Sequence, residues 1–318
     1  MKIKLIEPLG INDELLNNYR KELENLGHEF EYYGDKAKDI DEQKKRVEGA
    51  DILMIANSPL PKEAFENQKD LKLINVAFTG FDHVAMEQAN KMGIKVCNAS
   101  GYSNVAVAEL VIGLVLDIYR MISKGDEATR GSKTHADYYT GYEIRGKTVG
   151  IIGTGNIGIE TAKLFKAFGA DVIAFSRTER DDVKKMGIKY KSIEEVFKNS
   201  DIISVHLPLN ENTKGFITGD LLELMKPSAI FINCARGPIV DNTALSDVLN
   251  NEKIKFAGID VFDIEPPLNQ DYPLLNCKNI LLSPHIAYLT KESMVRRAKI
   301  AFDNTINFLN GNPTNIVN

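Results

Sequence analysis

The strongest constraint on the fold of this chain is a glycine-containing turn between an apolar run and a helical pattern, within residues 147–177. The apolar run Thr148–Ile152 leads into Gly-Thr-Gly-Asn-Ile-Gly at residues 153–158, and apolar residues at helical spacing continue from Ile159 to Phe168. A second apolar run, Val172–Phe175, follows the helical segment. This order predicts a βαβ unit, in which a helix joins two parallel strands.

The glycines of this turn meet three steric requirements of dinucleotide binding. Gly153 permits a tight turn, Gly155 leaves the backbone open to a pyrophosphate, and Gly158 lets the helix pack closely on the strand. The bare Gly-x-Gly-x-x-Gly pattern also fits an ordinary strand-to-helix turn, but its position between a strand and a helix favours a cofactor site. Phosphates would bind at the helix start, where N–H groups and the helix dipole favour anions. We therefore predict dinucleotide contacts at Gly153, Thr154, Gly155, Asn156, Ile157 and Gly158.

Length and composition limit what this site can belong to. A chain of 318 residues, with 43% hydrophobic and 26% charged residues, is typical of a soluble globular protein of two domains. The net charge of −5 and the absence of a basic cluster give no reason to expect a nucleic-acid partner. No apolar stretch is long enough to span a bilayer, and no signal-peptide core is present, so we expect a cytoplasmic protein without a membrane partner.

The three cysteines are Cys97, Cys234 and Cys277, and they are too scattered for a disulfide framework or a Cys-x-x-Cys metal site. The histidines outside position 285 also lack the spacing of metal ligands, so we expect no metal.

The first hundred residues alternate between strand and helix patterns, which predicts a parallel α/β layer. The predicted strands are Lys2–Ile6, Glu29–Tyr33, Asp51–Ala56, Leu73–Val76 and Lys95–Asn98. Between the first two, residues 13–26 carry an apolar helical stripe of Leu15, Leu16, Tyr19, Leu23 and Leu26. Residues 77–82 follow a strand, where loops of parallel sheets meet ligands, although the residues alone favour a plain glycine turn there.

Residues 103–121 predict a long helix that is apolar around nearly its whole circumference. Such a helix is buried on several sides, either between domains or against a second subunit, and the two interpretations are compatible. We expect a homodimer on this basis. The polar, glycine-containing residues 124–142 predict a surface excursion before the βαβ unit.

Polar residues that are candidates for an active site follow the ends of four later apolar runs, at residues 202–205, 229–232, 256–259 and 280–282. Arg236, Glu265 and His285 come after the last three of these runs, and the carboxyl ends of parallel strands meet at one edge of the sheet. Taken singly, each residue also fits an ordinary structural role. Arg236 could form a surface ion pair, Glu265 could be a solvated acid in a loop, and His285 could be a hydrogen-bonded histidine at a strand end. Together they supply a carboxylate clamp, a histidine and an acid to orient it.

Four motifs, taken jointly, resemble those of the D-isomer-specific 2-hydroxyacid dehydrogenases from the first strand to the last helix. They are the glycine turn, NCARGPIVD at 233–241, GIDVFDIEPP at 258–267 and SPHIA at 283–287. Residues 97–110, CNASGYSNVAVAEL, are most similar to the glycerate dehydrogenase or hydroxypyruvate (glyoxylate) reductase branch. The resemblance implies an α/β fold with a doubly wound parallel-sheet (Rossmann) cofactor domain at residues 101–286. A smaller flavodoxin-like α/β substrate domain would comprise residues 1–100 and 287–318, with Lys291–Leu309 as its returning helix.

The resemblance also implies the reaction, in which NAD(P)H reduces a small 2-oxo acid such as hydroxypyruvate or glyoxylate to the D-2-hydroxy acid. His285 would donate the proton, Glu265 would hold His285 and favour its charged form, and Arg236 would bind the substrate carboxylate. Asp260 would hold the nicotinamide carboxamide. The implied substrate contacts are Asn57, Phe78, Thr79, Gly80, Arg236 and His285, and we expect Tyr288 to limit pocket size. Beyond the glycine turn, the implied cofactor contacts are Thr79, Ser176, Arg177, Thr178, His206, Leu207, Pro208, Thr213, Cys234, Ala235, Arg236, Asp260 and His285.

The coenzyme prediction depends on the end of the second strand, where NAD sites carry an acid that binds the ribose 2′-OH. Ser176 stands there in this chain, and Arg177 and Thr178 follow it. These residues favour NADP over NAD, because the repulsive carboxylate is absent and the guanidinium of Arg177 is available for a 2′-phosphate. Arg180 would add a second guanidinium. NAD remains possible if Glu179 replaces the missing acid.

Two other functions remain open from the sequence. A 3-phosphoglycerate dehydrogenase would share every catalytic residue, although this chain shows no appended regulatory domain after its last helix. A dinucleotide-sensing, corepressor-like binding protein would also retain the three polar residues, but the compact acidic chain shows neither tails nor a peptide-docking surface.

Overall fold

The computed structural model describes residues 1–132, 135–264 and 267–318. The chain divides into two compact units, which are Met1–Ser103 with Leu289–Asn318 (unit 1) and Asn104–Tyr288 (unit 2).

Unit 1 is built on a parallel sheet whose five strands, as far as the structure describes the chain, lie in the order β2-β1-β3-β4-β5. The strands are β1 (Lys2–Leu5), β2 (Glu29–Tyr32), β3 (Ile52–Ile55), β4 (Leu73–Val76) and β5 (Lys95–Asn98). The helices are α1 (Asp13–Asn25), α2 (Ile40–Val47), α3 (Met86–Lys91) and, from the end of the chain, α11 (Lys291–Leu309). This strand order is the flavodoxin-like order, which reverses direction between β1 and β3.

Apolar side chains of α1 and α11 cover the sheet of unit 1. Leu16 and Leu23 of α1 are buried, while Tyr19 stacks on Phe302 of α11 with 4.2 Å between ring centroids. The apolar stripe predicted for residues 13–26 is wrong at Leu26, because this residue lies just beyond α1 and is 46% exposed.

Unit 2 contains a second parallel sheet, ordered β12-β11-β10-β9-β6-β7-β8 among the described residues. Its strands are β6 (Thr148–Ile152), β7 (Asp171–Phe175), β8 (Lys189–Tyr190), β9 (Ile202–Val205), β10 (Ile230–Asn233), β11 (Phe256–Ile259) and β12 (Ile280–Leu282). Its helices are α4 (Asn104–Arg120), α5 (Ile122–Arg130), α6 (Asn156–Ala167), α7 (Asp181–Lys185), α8 (Ile193–Asn199), α9 (Gly219–Glu223) and α10 (Asn242–Asn250). The order from β8 to β11 is that of a doubly wound dinucleotide fold, with its switch point between β6 and β9. The predicted fold class is confirmed.

Helix α4 is buried against the sheet of unit 2 through Val107, Val111, Leu114 and Val115, whereas Val105 is 48% exposed. Part of the surface excursion expected at residues 124–142 is helical, since residues 122–130 form α5, which has no buried residue. Met121 ends α4 in the left-handed region, at φ 52°, and allows the chain to restart as α5. Within the described ranges, no helix has both the length and the apolar character needed to cross a membrane.

Candidate active site

The glycine turn after β6 has the geometry that its sequence predicts. Gly153 has φ +99°, and a Cβ at this position would lie 2.7 Å from the carbonyl oxygen of His206. A Cβ at Gly158 would overlap the carbonyl oxygen of Gly153, whereas one at Gly155 would have no heavy atom within 4 Å. Two of the glycines are therefore required by close backbone packing, and the third leaves the backbone open to a ligand.

The start of α6 fits a phosphate group. Gly155 is its N-cap residue and supplies no side-chain cap to the N–H groups at the start of the helix, which includes Asn156 and Ile157. Uncapped N–H groups at a helix start, beside an open glycine, bind anions through hydrogen bonds and the helix dipole. Thr154, between the two glycines, is buried, and its hydroxyl lies 2.9 Å from the hydroxyl of Tyr190.

The loop after β7 holds the residues predicted to select the coenzyme, with Ser176 half-buried and Arg177 and Thr178 exposed. The carboxylate of Glu179 lies 2.6 Å from Lys184 Nζ, and Arg180 binds both carboxylate oxygens of Asp182, at 3.0 and 2.7 Å. Arg177 forms no ion pair with any residue in the described parts of the chain. Its guanidinium is therefore available to a phosphate, while the charges of Glu179 and Arg180 are engaged locally.

His206 follows β9 on the other side of the switch point. Its N–H donates to the Ile152 carbonyl oxygen at 2.7 Å, and its Nε2 lies 2.9 Å from the hydroxyl of Ser204. Burial lowers the pKa of His206 to about 3, so the ring is neutral at physiological pH. In the same loop, the Thr213 hydroxyl donates to the Pro208 carbonyl oxygen at 2.6 Å, which closes the turn that follows Leu207.

Arg236 lies in a turn after β10 that is held by a residue the sequence reasoning missed. Asn233 is fully buried, and its amide donates to the Arg236 carbonyl oxygen at 3.1 Å while its Oδ1 accepts from the Ala235 N–H at 3.0 Å. The half-buried Arg236 donates from Nη1 to the Ala235 carbonyl oxygen at 2.8 Å. Burial and the nearby Asp260 raise the pKa of the Cys234 thiol, which keeps it neutral in this loop. A single asparagine at a strand end gives no sequence signal for this role.

The loop after β10 is packed against the loop after β11. A Cβ at Gly237 would overlap the backbone of Phe262 and Asp263, so only glycine fits next to Arg236. Asn242 extends this link, because its amide donates to Asp263 Oδ1 at 2.8 Å and to the Gly237 carbonyl oxygen at 3.3 Å. Glu265, the predicted acid, lies outside the described residues.

His285 lies in the loop after β12, with its backbone in the left-handed region at φ +57°. A non-glycine residue rarely adopts this conformation, and functional sites often hold such residues in place through their surroundings. Its ring meets the Tyr288 ring edge-on, with 5.5 Å between centroids.

Asp260 supports this conformation from the end of β11. Its carboxylate accepts hydrogen bonds from Ser283 Oγ at 2.5 Å, Ile286 N at 3.0 Å and Ala287 N at 2.8 Å. Burial raises the pKa of Asp260, and these hydrogen bonds oppose that shift. Because the side chain is fully buried and engaged on both oxygens, it orders the His285 loop.

In unit 1, the loop after β3 lies at the switch point of its own sheet. The buried carboxylate of Glu7 accepts from Ala56 N at 2.7 Å, Ser58 N at 3.1 Å and Ser58 Oγ at 2.6 Å. These bonds fix the backbone on both sides of Asn57, a predicted substrate contact, whose Oδ1 accepts from Lys36 Nζ at 3.2 Å. Glu7 is a second residue that sequence reasoning missed.

The predicted carboxylate loop of unit 1 follows β4. Phe78 is buried, and Thr79 and Gly80 are half-buried. The hydroxyl of Thr79 is buried without a hydrogen-bond partner in the described ranges, while its carbonyl oxygen accepts from Asn98 Nδ2 at 2.7 Å. No group of three or more His, Cys, Asp or Glu side chains within those ranges is arranged to hold a metal ion.

Comparison with known proteins identifies the family. Residues 112–287 match the family described as D-isomer specific 2-hydroxyacid dehydrogenase, NAD binding domain. The chain is 33% identical to the hydroxypyruvate reductase of Blautia hydrogenotrophica, with 100% of both chains covered. It is 38% identical to the glyoxylate reductase of Aeropyrum pernix, over 78% of this chain and 76% of the relative. Among solved structures, an acyclic imino acid reductase in complex with NADPH and D-Arg matches with a TM-score of 0.90, at 32% identity and with 100% of both chains covered.

The doubly wound sheet and its glycine turn define an α/β oxidoreductase that uses a nicotinamide dinucleotide. The chain belongs to the D-isomer-specific 2-hydroxyacid dehydrogenase family, as its motifs predict.

Proposed function

We propose that this enzyme reduces a small 2-oxo acid, of the size of hydroxypyruvate or glyoxylate, to the D-2-hydroxy acid with NADPH. The observation that carries the proposal is the connection between the loops after β10, β11 and β12. Gly237, next to Arg236, packs on the backbone of the loop that leads to Glu265, and Asp260 orders the loop of His285. The names of the relatives, hydroxypyruvate reductase and glyoxylate reductase, support the substrate class.

Reduction of a 2-oxo acid requires a hydride at C2, a proton at the carbonyl oxygen and a grip on the carboxylate. The bound nicotinamide supplies the hydride. Arg236 binds the carboxylate through its planar guanidinium and helps to polarise the carbonyl group. His285 donates the proton to the carbonyl oxygen and accepts it in the reverse reaction. Glu265 orients His285 by a hydrogen bond, and Asp260 maintains the backbone conformation around it.

The proposal assigns the recognition of the substrate to unit 1 as well. Backbone N–H groups near Phe78, Thr79 and Gly80 bind the carboxylate, and Asn57 contacts the substrate. The ordered backbone around Asn57 supports these roles, as does the buried hydroxyl of Thr79, which has no hydrogen-bond partner among the described residues.

Selection of NADPH rests on Arg177. Its guanidinium lacks an ion-pair partner among the described residues, whereas the carboxylate that would favour NAD, that of Glu179, is paired with Lys184. Ser176 and Thr178 add hydroxyl donors for a 2′-phosphate.

The proposal includes a homodimer formed through α4 and its neighbourhood. Val105, Ile122 and Tyr138 are 48%, 57% and 80% exposed, and their burial against a second subunit would be favourable. Sedimentation at micromolar concentration tests this point, and a monomer there refutes it.

A panel of initial-rate measurements tests the proposed function. The purified chain is assayed with NADPH and NADH against hydroxypyruvate, glyoxylate, 2-oxoisocaproate and 3-phosphohydroxypyruvate. We expect the highest kcat/KM with hydroxypyruvate or glyoxylate. A preference for 2-oxoisocaproate contradicts the substrate class, and one for the phosphorylated acid supports a 3-phosphoglycerate dehydrogenase instead. Tight dinucleotide binding without turnover of any substrate supports a sensor protein.

A further inference from the structure

Tyr190 links the glycine turn to the far end of the coenzyme-selecting loop. Its hydroxyl lies 2.9 Å from Thr154 Oγ1 and accepts a hydrogen bond from the Arg180 N–H at 3.1 Å. Thr154 belongs to the glycine turn, and Arg180 follows the loop of residues 176–179. The phenol therefore connects two segments that are 26 residues apart in the chain.

The near end of the same loop has its own anchor. The Gly153 N–H donates to the Phe175 carbonyl oxygen at 2.7 Å, directly before Ser176. Residues 176–179 are thus tied to the glycine turn at both ends, by a backbone hydrogen bond at the near end and by the Tyr190 hydroxyl at the far end. Between these anchors, Arg177 is exposed.

We infer that Tyr190 is a positioning residue for coenzyme selection, which holds the loop of Arg177 at a fixed separation from the phosphate site of the glycine turn. The inference rests on the proposed use of NADPH. The ribose of a dinucleotide limits the distance between its pyrophosphate and its 2′-phosphate, so two protein segments that bind both groups must keep a separation within that limit. Preorganisation of this kind strengthens binding because less loop motion is lost when the ligand binds.

Loss of the Tyr190 hydroxyl should affect the glycine turn and the loop of Arg177 unequally. The glycine turn is held independently by β6 and α6 and by the close packing of Gly158 on Gly153. The loop of Arg177, in contrast, loses its far anchor. Each hydrogen bond of this type contributes a factor of roughly 2 to 10 to an equilibrium constant. We therefore expect weaker binding of the 2′-phosphate, with little change at the pyrophosphate.

The test compares wild type with Tyr190→Phe, which keeps the ring that packs in the core of unit 2 and removes only the hydroxyl. Calorimetry gives the dissociation constants of 2′,5′-ADP, which carries the 2′-phosphate, and of 5′-AMP, which lacks it. We expect the constant for 2′,5′-ADP to rise roughly 2- to 10-fold and that for 5′-AMP to change less than about twofold. In turnover, KM for NADPH should rise while kcat at saturating NADPH stays unchanged.

Two further variants make the result specific. Tyr119→Phe removes a hydroxyl from a buried tyrosine of the same core and should leave both constants unchanged. Thr154→Val breaks the bridge from its other end and should lower the preference for 2′,5′-ADP over 5′-AMP in the same direction, even if Tyr190→Phe is too unstable to measure.

The outcomes separate this inference from the function on which it rests. A wild-type enzyme that binds 2′,5′-ADP no better than 5′-AMP overturns the NADPH proposal and this inference together. A wild type that prefers 2′,5′-ADP, with the same preference in Tyr190→Phe or in Thr154→Val, overturns the role of Tyr190 alone. Equal weakening of both nucleotides in Tyr190→Phe also overturns it, because a merely structural role predicts that result.

Discussion

The side-chain amide of Asn98 donates a 2.7 Å hydrogen bond to the carbonyl oxygen of Thr79. Because a trans peptide is planar, its N–H points opposite to its carbonyl oxygen. The Gly80 N–H, which shares this peptide with the Thr79 carbonyl, is thus directed away from Asn98. Asn98 thereby fixes the direction of one of the N–H groups proposed to bind the substrate carboxylate.

Replacement of Asn98 by Ala should raise KM for the 2-oxo acid by roughly fivefold, because the loss of one hydrogen bond frees the peptide to rotate. The KM for NADPH should not change. Asn75→Ala is the matched control, since it removes a buried amide that bonds Ala301 and Thr305 in the same unit. Equal KM values for Asn98→Ala and wild type contradict this role.

Replacement of His285 by Ala should lower kcat by roughly 10²-fold or more, which is the usual contribution of general acid catalysis. The dissociation constant of NADPH should change little, as measured by fluorescence titration. His28→Ala, which replaces another histidine of the chain, in unit 1, serves as the control and should leave kcat unchanged. Near-normal kcat in His285→Ala removes this residue from the mechanism.

Replacement of Arg236 by Lys should raise KM for the 2-oxo acid and lower kcat together, because an ammonium group does not provide the two-point contact of a guanidinium. Steady-state kinetics measure both constants. The same change at Arg130, whose exposed side chain pairs with Asp126, should alter neither constant. Wild-type values of kcat and KM in Arg236→Lys contradict the binding of the substrate carboxylate by Arg236.

The double replacement Ser176→Asp with Arg177→Ala should reverse the coenzyme preference, since it adds repulsion and removes attraction at the 2′-phosphate. The ratio of kcat/KM for NADPH to that for NADH is the measurement. Arg180→Ala should change this ratio much less, because Asp182 already binds that guanidinium. If the unmodified enzyme prefers NADH, Arg177 does not select the coenzyme and Glu179 becomes the candidate ribose ligand.

The lowered pKa of the half-buried His206 predicts a dependence of stability on pH. Its pKa is lowered from 6.5 to about 3, so between these values the unfolded chain binds a proton that the folded chain does not. The contribution of this residue to stability is therefore complete above pH 6.5 and decreases as the pH falls, by at most about 2 kcal/mol at pH 5. The free energy of unfolding of His206→Gln should decrease less than that of wild type from pH 7 to pH 5. An NMR titration in which the His206 ring protonates near pH 6.5 contradicts the prediction.

The sequence alone determined the layered fold, because its signals are local. Apolar runs such as Ile202–Val205 and Phe256–Ile259 form strands with those bounds. The spacing of Gly153, Gly155 and Gly158 depends only on backbone sterics within one turn, and for that reason their separate roles could be predicted. The sequence order also indicated that Arg236 and His285 follow strands whose carboxyl ends lie at one edge of the sheet.

Tertiary structure decided which side chains hold the candidate active-site residues in place. Asn98, Glu7 and Tyr190 have no local pattern, and each acts through hydrogen bonds to a loop that only the packed sheet brings within reach. The engagement of Asp260 by three donors of the His285 loop was likewise not predictable, since the residue type fits equally well with a cofactor contact. Hydrogen bonds are short-ranged and directional, so their partners are fixed by the spatial arrangement of the strands and not by the spacing of residues along the chain.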